Sequence, residues 1–487
     1  MNSVISIPLP RVATDPAFLP YTSFVVILAT LFGGGGNQGW SDVVVQLAAL
    51  PLLAWALFRL NASQLCRDRQ WAIALLCAML ALPLLQLIPM PPSLWGGLPG
   101  RGEIASAYQA AGMALPWLPV SLDSTSTWLA LLSLLPATAV FLAMLSLEQR
   151  SRRILIVLIL VVAFASVVLD VLQIMGGDNS SLRFYELTSR YGRAVGFFAN
   201  SDHSAAFLYC AIPFIVAWAI GLVLDHSRNR TIGLTFLTLL MLAIIVGVAT
   251  TKSRAGMALL FVAGLSGLLL AWRHGRGQSG RRLVRVAIGA NLVGLILAFQ
   301  FGFVALMQRV EQQGLEDLRW PVAKITSQAA IANLPFGSGL GTFVPIYERF
   351  APRESLQYFY VNHAHNDWLE LWLTGGAPAV ILVLGFLVWF AAATFRLWRS
   401  GQPEAPVLDL ALAQAASIVI ILLLLHSVVD YPLRIPTLSV LFAIACAFLI
   451  PPRRIEHSAR MSRGIENLVP ANDVRPRNRL YGSVMKG

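Results

Sequence analysis

The stretch "ILIVLILVVAFASVVLDVLQIM" (154–175) contains one acid and no base, and it follows directly on "EQRSRR" (148–153). At about 1.5 Å of rise per residue a helix of this length crosses a hydrocarbon layer of roughly 30 Å, where only a structure that satisfies its own backbone is tolerated. Apolar stretches of similar kind recur outward from it, at 42–58, 71–90, 128–147, 204–224, 232–250 and 257–272, then at 286–306, 377–395, 408–428 and 437–450. A shorter one at 21–34 brings the expected number of spans to about twelve. With 57% hydrophobic residues, 12% charged residues and a mean hydropathy of +0.68, the chain lies far from soluble composition. The reading is an all-α integral membrane protein.

The formal charge of +12 raises nucleic acid as a partner, but the basic residues have a membrane explanation. They cluster at 66–70, 148–153, 225–230, 273–282 and 396–400 and in the tail from 451, which is every second inter-span segment. The positive-inside rule then places both termini and these loops in the cytoplasm. No nucleic acid is expected. The first residues lack the basic region and small-residue cleavage site of a secretory signal, so the first apolar segment is expected to remain as a helix. Cys77, Cys210 and Cys446 fall in apolar spans and Cys66 in a basic loop, which is no disulfide framework. No loop offers a cluster of metal ligands, so neither metal nor cofactor is expected.

The expected organisation is an N-terminal membrane bundle over 1–306, a large external loop with short helices over 307–376, membrane helices over 377–450 and a basic, disordered cytoplasmic tail over 451–487. The remaining external segments are 91–127, 176–203, 251–256 and 430–436. Within the large loop, "RWPVAKITSQAAIANLPFGSGLGTF" (319–343) predicts a helix opening at Pro321 and breaking at Pro335, followed by a turn at Gly337, Gly339 and Gly341. No strand precedes these glycines, so a dinucleotide site is rejected. In "YVNHAHNDWLELWLTGG" (360–376), Asn366 is read as the cap of a short helix that starts at Asp367 and ends at Gly375-Gly376, with His365 at its N-terminus. Asn200, Asp202 and His203 are read as shaping a loop and capping a helix near Ser204, and Tyr347, Tyr358 and Tyr360 as residues of an interfacial aromatic belt.

The ordered segments "GRAVGFFANSDHSAAFLYCAIPF" (192–214), "TKSRAG" (251–256), "LPFGSGLGTF" (334–343), "HAHNDWLELWLTGG" (363–376) and "HSVVDYPLRIP" (426–436) resemble the O-antigen ligase and polymerase superfamily. The resemblance implies a GT-C-like, inverting and metal-independent glycosyltransferase of the bacterial inner membrane. Such an enzyme moves a glycan from undecaprenyl diphosphate to an acceptor hydroxyl at the periplasmic face, in O-antigen or exopolysaccharide polymerisation or ligation. It also implies His365 and Arg254 as catalytic residues and matches Arg193 to the arginine opening one family motif. Where many members carry an acid just before the glycine that ends the helix, this chain has Leu373 and Thr374, with Glu370 further back.

The residues support a similar chemistry by themselves. Arg193, Lys252 and Arg254 suit a diphosphate, because a guanidinium matches phosphate oxygens with a planar fork and fixed cations stabilise the charge that grows on a leaving diphosphate. His365 suits a general base, and His363 and Asn366 are candidate acceptor-binding residues. Against this stand snorkelling for the cations, capping for the histidine and a pair between Asp430 and Arg434. Expected partners are the lipid-linked glycan, a glycan or lipid A core acceptor, membrane lipids and other polysaccharide-assembly proteins. Arg309, Arg319, Lys324, Arg349, Arg353 and Arg434 offer cations for a second diphosphate, which leans the expectation towards polymerisation. The alternative function is a non-catalytic component or transporter of a polysaccharide export system.

Overall fold

The structure is a computed structural model that describes residues 15–35, 39–60, 67–185, 188–189, 192–224, 229–275, 289, 296, 319–353, 361–399 and 406–451, with the backbone of Ser400. The first half consists of α1 (Phe18–Phe32), α2 (Trp40–Arg59), α3 (Arg67–Gln86), β1 (Pro89–Met90), α4 (Pro92–Trp95), α5 (Gly102–Ala110), β2 (Leu118–Pro119), α6 (Ser124–Ser133), α7 (Leu135–Ser146) and α8 (Gln149–Gly176). There follow α9 (Ser201–Leu224), α10 (Arg230–Thr250), α11 (Arg254–His274), α12 (Arg319–Ala332), α13 (Phe343–Phe350), α14 (Asp367–Ser400), α15 (Val407–His426), a 3-10 turn (Pro432–Arg434) and α16 (Pro436–Phe448). The two strands form one antiparallel ladder that pairs Pro89 with Pro119.

Among the described residues nine helices are long and apolar enough to cross a membrane, counting Ser124–Ser146 as one, and α1 and α16 are shorter apolar helices. The all-α polytopic expectation therefore holds. The expected span at 286–306 lies outside the described residues except for its positions 289 and 296, and so does all of the expected tail except Pro451. Cys77, Cys210 and Cys446 are free, and Cys66 lies outside the described residues.

The helix α9 is the axis of the bundle, buried from Ser201 to Val223 with few exceptions and packed against α8, α10, α11 and α15. At the opposite extreme, α2 and α3 turn residues such as Leu47, Leu57, Phe58 and Trp71 outward. Such an apolar exterior costs nothing against hydrocarbon. At the end where α7, α8 and α16 meet, fully buried Arg152 donates from Nε to Met144 O and from Nη1 to Ala447 O and Ile450 O. It thereby satisfies carbonyls that two helix C-termini leave open.

Residues 319–376 have a small core of their own. Val322 and Ala329 of α12 pack with Phe343, Ile346 and Tyr347 of α13 and with Leu373 of α14. Tyr347 is buried and stacks on Phe343 at 5.4 Å, so it belongs to this core and not to an aromatic belt. Tyr358 and Tyr360 lie outside the described residues. Gly337 (φ +76°) and Gly376 (φ +61°) meet where the loop crosses α14; a Cβ on Gly337 would fall 2.6 Å from Thr374 O. Only glycine permits both that backbone and that approach. The break at Gly376 separates the first turns of α14 from its long apolar part, as the Gly375-Gly376 pair foretells.

Sequence reasoning missed the role of Arg101. Its guanidinium, 1% exposed, donates to Pro99 O, Val120 O, Gly337 O and Asn333 Oδ1, which fastens residues 99–120 to the loop after α12.

Candidate active site

The turn after α15 and the first residues of α14 fold onto each other. Asp367 N–H donates to Ser427 O and Asp430 O, and the Asp367 carboxylate accepts from Ser427 Oγ and Leu433 N–H. Asn366 caps α14 as expected, since its Oδ1 accepts from Leu369 N–H at 3.0 Å, and its Nδ2 donates to Val428 O. Both ends of that amide are therefore engaged within the protein. His365, one residue earlier, is held at φ +49°. Among the described residues it shares a positive φ with only one other non-glycine, Lys252 at +51°. Such backbone is costly and persists where surrounding contacts enforce it, often at functional sites.

His365 Nδ1 lies 3.0 Å from Asp430 Oδ1. The Asp430 carboxylate is fully buried and is approached on its other oxygen by His203 Nε2 at 3.2 Å and His426 Nε2 at 3.6 Å, distances of ion pairing without hydrogen-bond alignment. Burial alone would raise the Asp430 carboxyl. His203, with the contacts from His365 and His426, outweighs burial and holds the carboxyl well below the usual range. An ionised Asp430 accepts, so His365 Nδ1 donates, and in the neutral ring Nε2 is then the acceptor. The His365 side chain is 31% exposed.

Tyr431 stands among the imidazoles, with its ring centroid 4.1 Å from His363, 4.8 Å from His203 and 5.1 Å from His365. Burial pushes its phenol upward, so it remains a neutral hydroxyl that accepts from Asn362 Nδ2. The pair expected between Asp430 and Arg434 does not form. Arg434 turns instead to Asp367 and Glu370, at 3.2 Å from each, while Asp430 serves the histidines. Glu370 also accepts from Ala364 N–H at 2.9 Å and lies 3.1 Å from His363 Nδ1. It is thus, with Asp367, one of two buried acids in the first turns of α14.

The cations gather at a second corner. Ser253 Oγ accepts from Gly256 N–H and caps α11, whose first residue is Arg254. Ala194 N–H donates to Thr250 O, which draws the Arg193 segment onto this turn. A Cβ on Gly192 would lie 3.3 Å from Lys252 Nζ, so that ammonium stands beside Arg193's neighbour. Lys252 and Arg254 are exposed and Arg193 is half-buried. Two buried side chains that the sequence reading passed over brace the segment: Gln173 Oε1 accepts from Val195 and Gly196 N–H, and Arg183 Nη2 donates to Arg193 O. The corner and the histidines are joined through the start of α9, where Asn200 Oδ1 accepts from Asp202 N–H and His203 reaches Asp430.

A cavity of about 1430 Å³ opens beside the histidines. His363, Asp367, Glu370 and Arg434 line one end of it, whereas His365, Arg193, Lys252 and Arg254 form no part of its lining. Of the cations proposed for a second diphosphate, Arg319 pairs with Asp202, Arg349 with Glu103 and Arg434 with two acids, while Arg309 lies outside the described residues. No group of metal ligands occurs among the described residues.

Residues 212–384 match the O-antigen ligase family. That segment is roughly a third of the chain; it contains the cation turn, α12, α13 and both loop histidines, and it leaves Arg193, His203 and Asp430 outside. The match supports the O-antigen ligase and polymerase superfamily and, in general terms, a membrane glycan ligase or polymerase acting on glycan and lipid-linked substrates. No curated protein matches the sequence.

Proposed function

We propose that the protein transfers a glycan from undecaprenyl diphosphate to an acceptor hydroxyl, with His365 as the general base and Asp430 as the group that orients it. One observation carries this reading: a half-exposed imidazole whose Nδ1 meets a buried carboxylate and whose Nε2 is left to accept a proton. His365 Nε2 takes the hydroxyl proton as the acceptor oxygen bonds to C1 of the donor sugar. The C1–O bond to the diphosphate breaks, its electron pair leaves on the diphosphate oxygen, and the configuration at C1 inverts. The products are the extended glycan, undecaprenyl diphosphate and a protonated His365 that returns its proton to solvent.

Arg193, Lys252 and Arg254 neutralise the leaving group, and their charge is worth more as the bond breaks than in the bound donor. Asp430 stabilises the imidazolium without itself being protonated. No metal enters this step. The membrane is the bacterial inner membrane, with both termini cytoplasmic and the site facing the periplasm, a reading supported by the basic clusters that fall in every second inter-span segment of the sequence. Of the expected second cation group, Arg319, Arg349 and Arg434 pair with acids, while Lys324 and Arg353 are exposed, so the leaning towards polymerisation rests on fewer cations than the sequence offered.

The test is purified protein in vesicles supplied with a lipid-linked glycan donor and separate acceptors. Release of undecaprenyl diphosphate that depends on acceptor supports the transferase. Its absence with every acceptor, in protein that is folded and inserted, would leave a non-catalytic membrane component.

A further inference from the structure

The Asp430 carboxylate faces two imidazoles besides His365, and both are buried away from substrate. His426 closes α15 and His203 lies in the first turn of α9, with their Nε2 atoms 3.6 and 3.2 Å from Asp430 Oδ2. They differ at their far nitrogens. Neither nitrogen of His203 has a hydrogen-bond partner among the described residues, whereas His426 Nδ1 lies 2.7 Å from Oη of Tyr209, a fully buried residue further along α9.

That hydroxyl serves His426 in either charge state. In the neutral ring Nε2–H faces the carboxylate and Nδ1 accepts from the Tyr209 O–H; in the imidazolium Nδ1–H donates and the same Oη accepts. No bond is lost. His203 has no such group, and a second N–H on it would be buried without an acceptor. His426 is therefore the buried imidazole that can gain and lose a proton beside Asp430. A proton there has a consequence for catalysis, because a second imidazolium on the same carboxylate meets the first in a low-dielectric interior. A charged His426 takes the support that His365 needs when it accepts the hydroxyl proton.

The other ionisable groups on the elements packed here are few or engaged. On α9 they are Asp202, which pairs with Arg319, and Cys210. At the start of α14 Asp367 and Glu370 are held by Arg434, and the turn after α15 adds Tyr431. Cys446 is the one titratable side chain of α16, and on α11 the charged groups are Arg254 at one end and Arg273 and His274 at the other. We propose that Tyr209 and His426 are positioning residues of the transfer step: a neutral His426 leaves the Asp430 charge to His365, and a protonated His426, donating to Tyr209, withdraws it as the medium turns acid. The proposal rests on the transferase reading above and adds to it a switch built from residues that touch no substrate.

The test is the acid limb of the rate profile. Full-length protein in vesicles is given saturating lipid-linked donor and glycan acceptor, and kcat at each pH is divided by the same protein's value at about pH 8. Tyr209→Phe leaves the imidazolium N–H without an acceptor, so the midpoint of the acid limb should fall by about half to one pH unit. His426→Gln keeps a donor towards Asp430 and cannot take up the proton, so it should shift the limb the same way. The double variant should go no further than the larger single shift, because both changes act on one proton. A purely structural role would lower kcat equally at every pH. An acid limb unmoved in both variants, or shifts that add in the double variant, would overturn the proposal; should His426→Gln fail to insert, Tyr209→Phe decides alone.

A second measurement needs no turnover. In protein carrying isotope-labelled histidine, the seven imidazoles of the chain give ring-nitrogen resonances that separate a neutral from a doubly protonated ring, and His426→Gln marks the one to follow. That ring should gain its proton at a pH lower by about half to one unit in Tyr209→Phe than in wild type. Equal titration in the two proteins would end the proposal, whatever the rates show. A shifted titration with no turnover in any protein would sink the transferase reading, and with it the link to His365, while the proton site at His426 and Tyr209 stands.

Discussion

His363 and His365 are two residues apart, and each sets Nδ1 against a buried carboxylate, yet their surroundings differ. Glu370, behind His363, is already matched by Arg434 at 3.2 Å. Asp430, behind His365, has imidazoles around it and, among the described residues, no paired guanidinium. Positive charge that develops on His365 therefore meets a carboxylate whose neighbours are imidazoles, and the same charge on His363 meets one already matched by a permanent cation. The sequence "HAHND" presents two equal candidates; the second coordination layer distinguishes them.

The comparison breaks most visibly if the histidines are exchanged in importance. His365→Ala should lower transfer by about 10²–10⁴-fold with membrane insertion unchanged, measured as turnover per correctly folded protein. Loss of that size in His363→Ala, with His365→Ala near normal, would reverse the assignment.

Asp430→Asn keeps shape and removes charge, and should cost about 10- to 100-fold in kcat with little change in donor KM. The sign of its pH behaviour follows from its lowered carboxyl. A group depressed on folding contributes stability above its unfolded value of about 3.9, and that contribution is lost only as pH falls through the lower folded value. The difference in thermal stability between wild type and Asp430→Asn should therefore shrink as pH falls below about 4. A difference that persists undiminished well below that pH would contradict an Asp430 charge that stabilises the fold.

Arg254→Lys preserves charge at the cation corner and loses the planar fork, so donor use should fall by about tenfold. Full activity would make Arg254 a headgroup-snorkelling residue. His363→Ala should mostly raise acceptor KM, by a few fold, since its proposed part is binding the acceptor and not proton transfer. The smallest effect is expected from EDTA: turnover should not change, and inhibition reversed by one divalent cation would contradict the metal-free step.

Much of the fold was legible because hydrocarbon permits few structures. Apolar runs such as 154–175 leave helix as the single way to satisfy the backbone, and the turn glycines and the Asn366 cap follow from local rules. His365, Arg193, Lys252 and Arg254 stood out as candidates because each lies within a short motif. What carried no local signal was the pairing across distance. Asp430 and Arg434 stand four residues apart and look like partners, but the 3-10 turn at Pro432–Arg434 sends one to α9 and the other to α14. His203 looked like a loop residue because its partner lies in the turn after α15. Arg101 gave no hint of being buried, since its acceptors are backbone carbonyls, which sequence does not distinguish.

The central claim is that His365 removes the acceptor proton. The most direct measurement is undecaprenyl diphosphate release by purified wild type and His365→Ala in identical vesicles, with donor and a glycan acceptor. The account predicts acceptor-dependent release by wild type and a rate lower by at least about a hundredfold in a variant that binds donor with unchanged affinity. Comparable release by both proteins would contradict it.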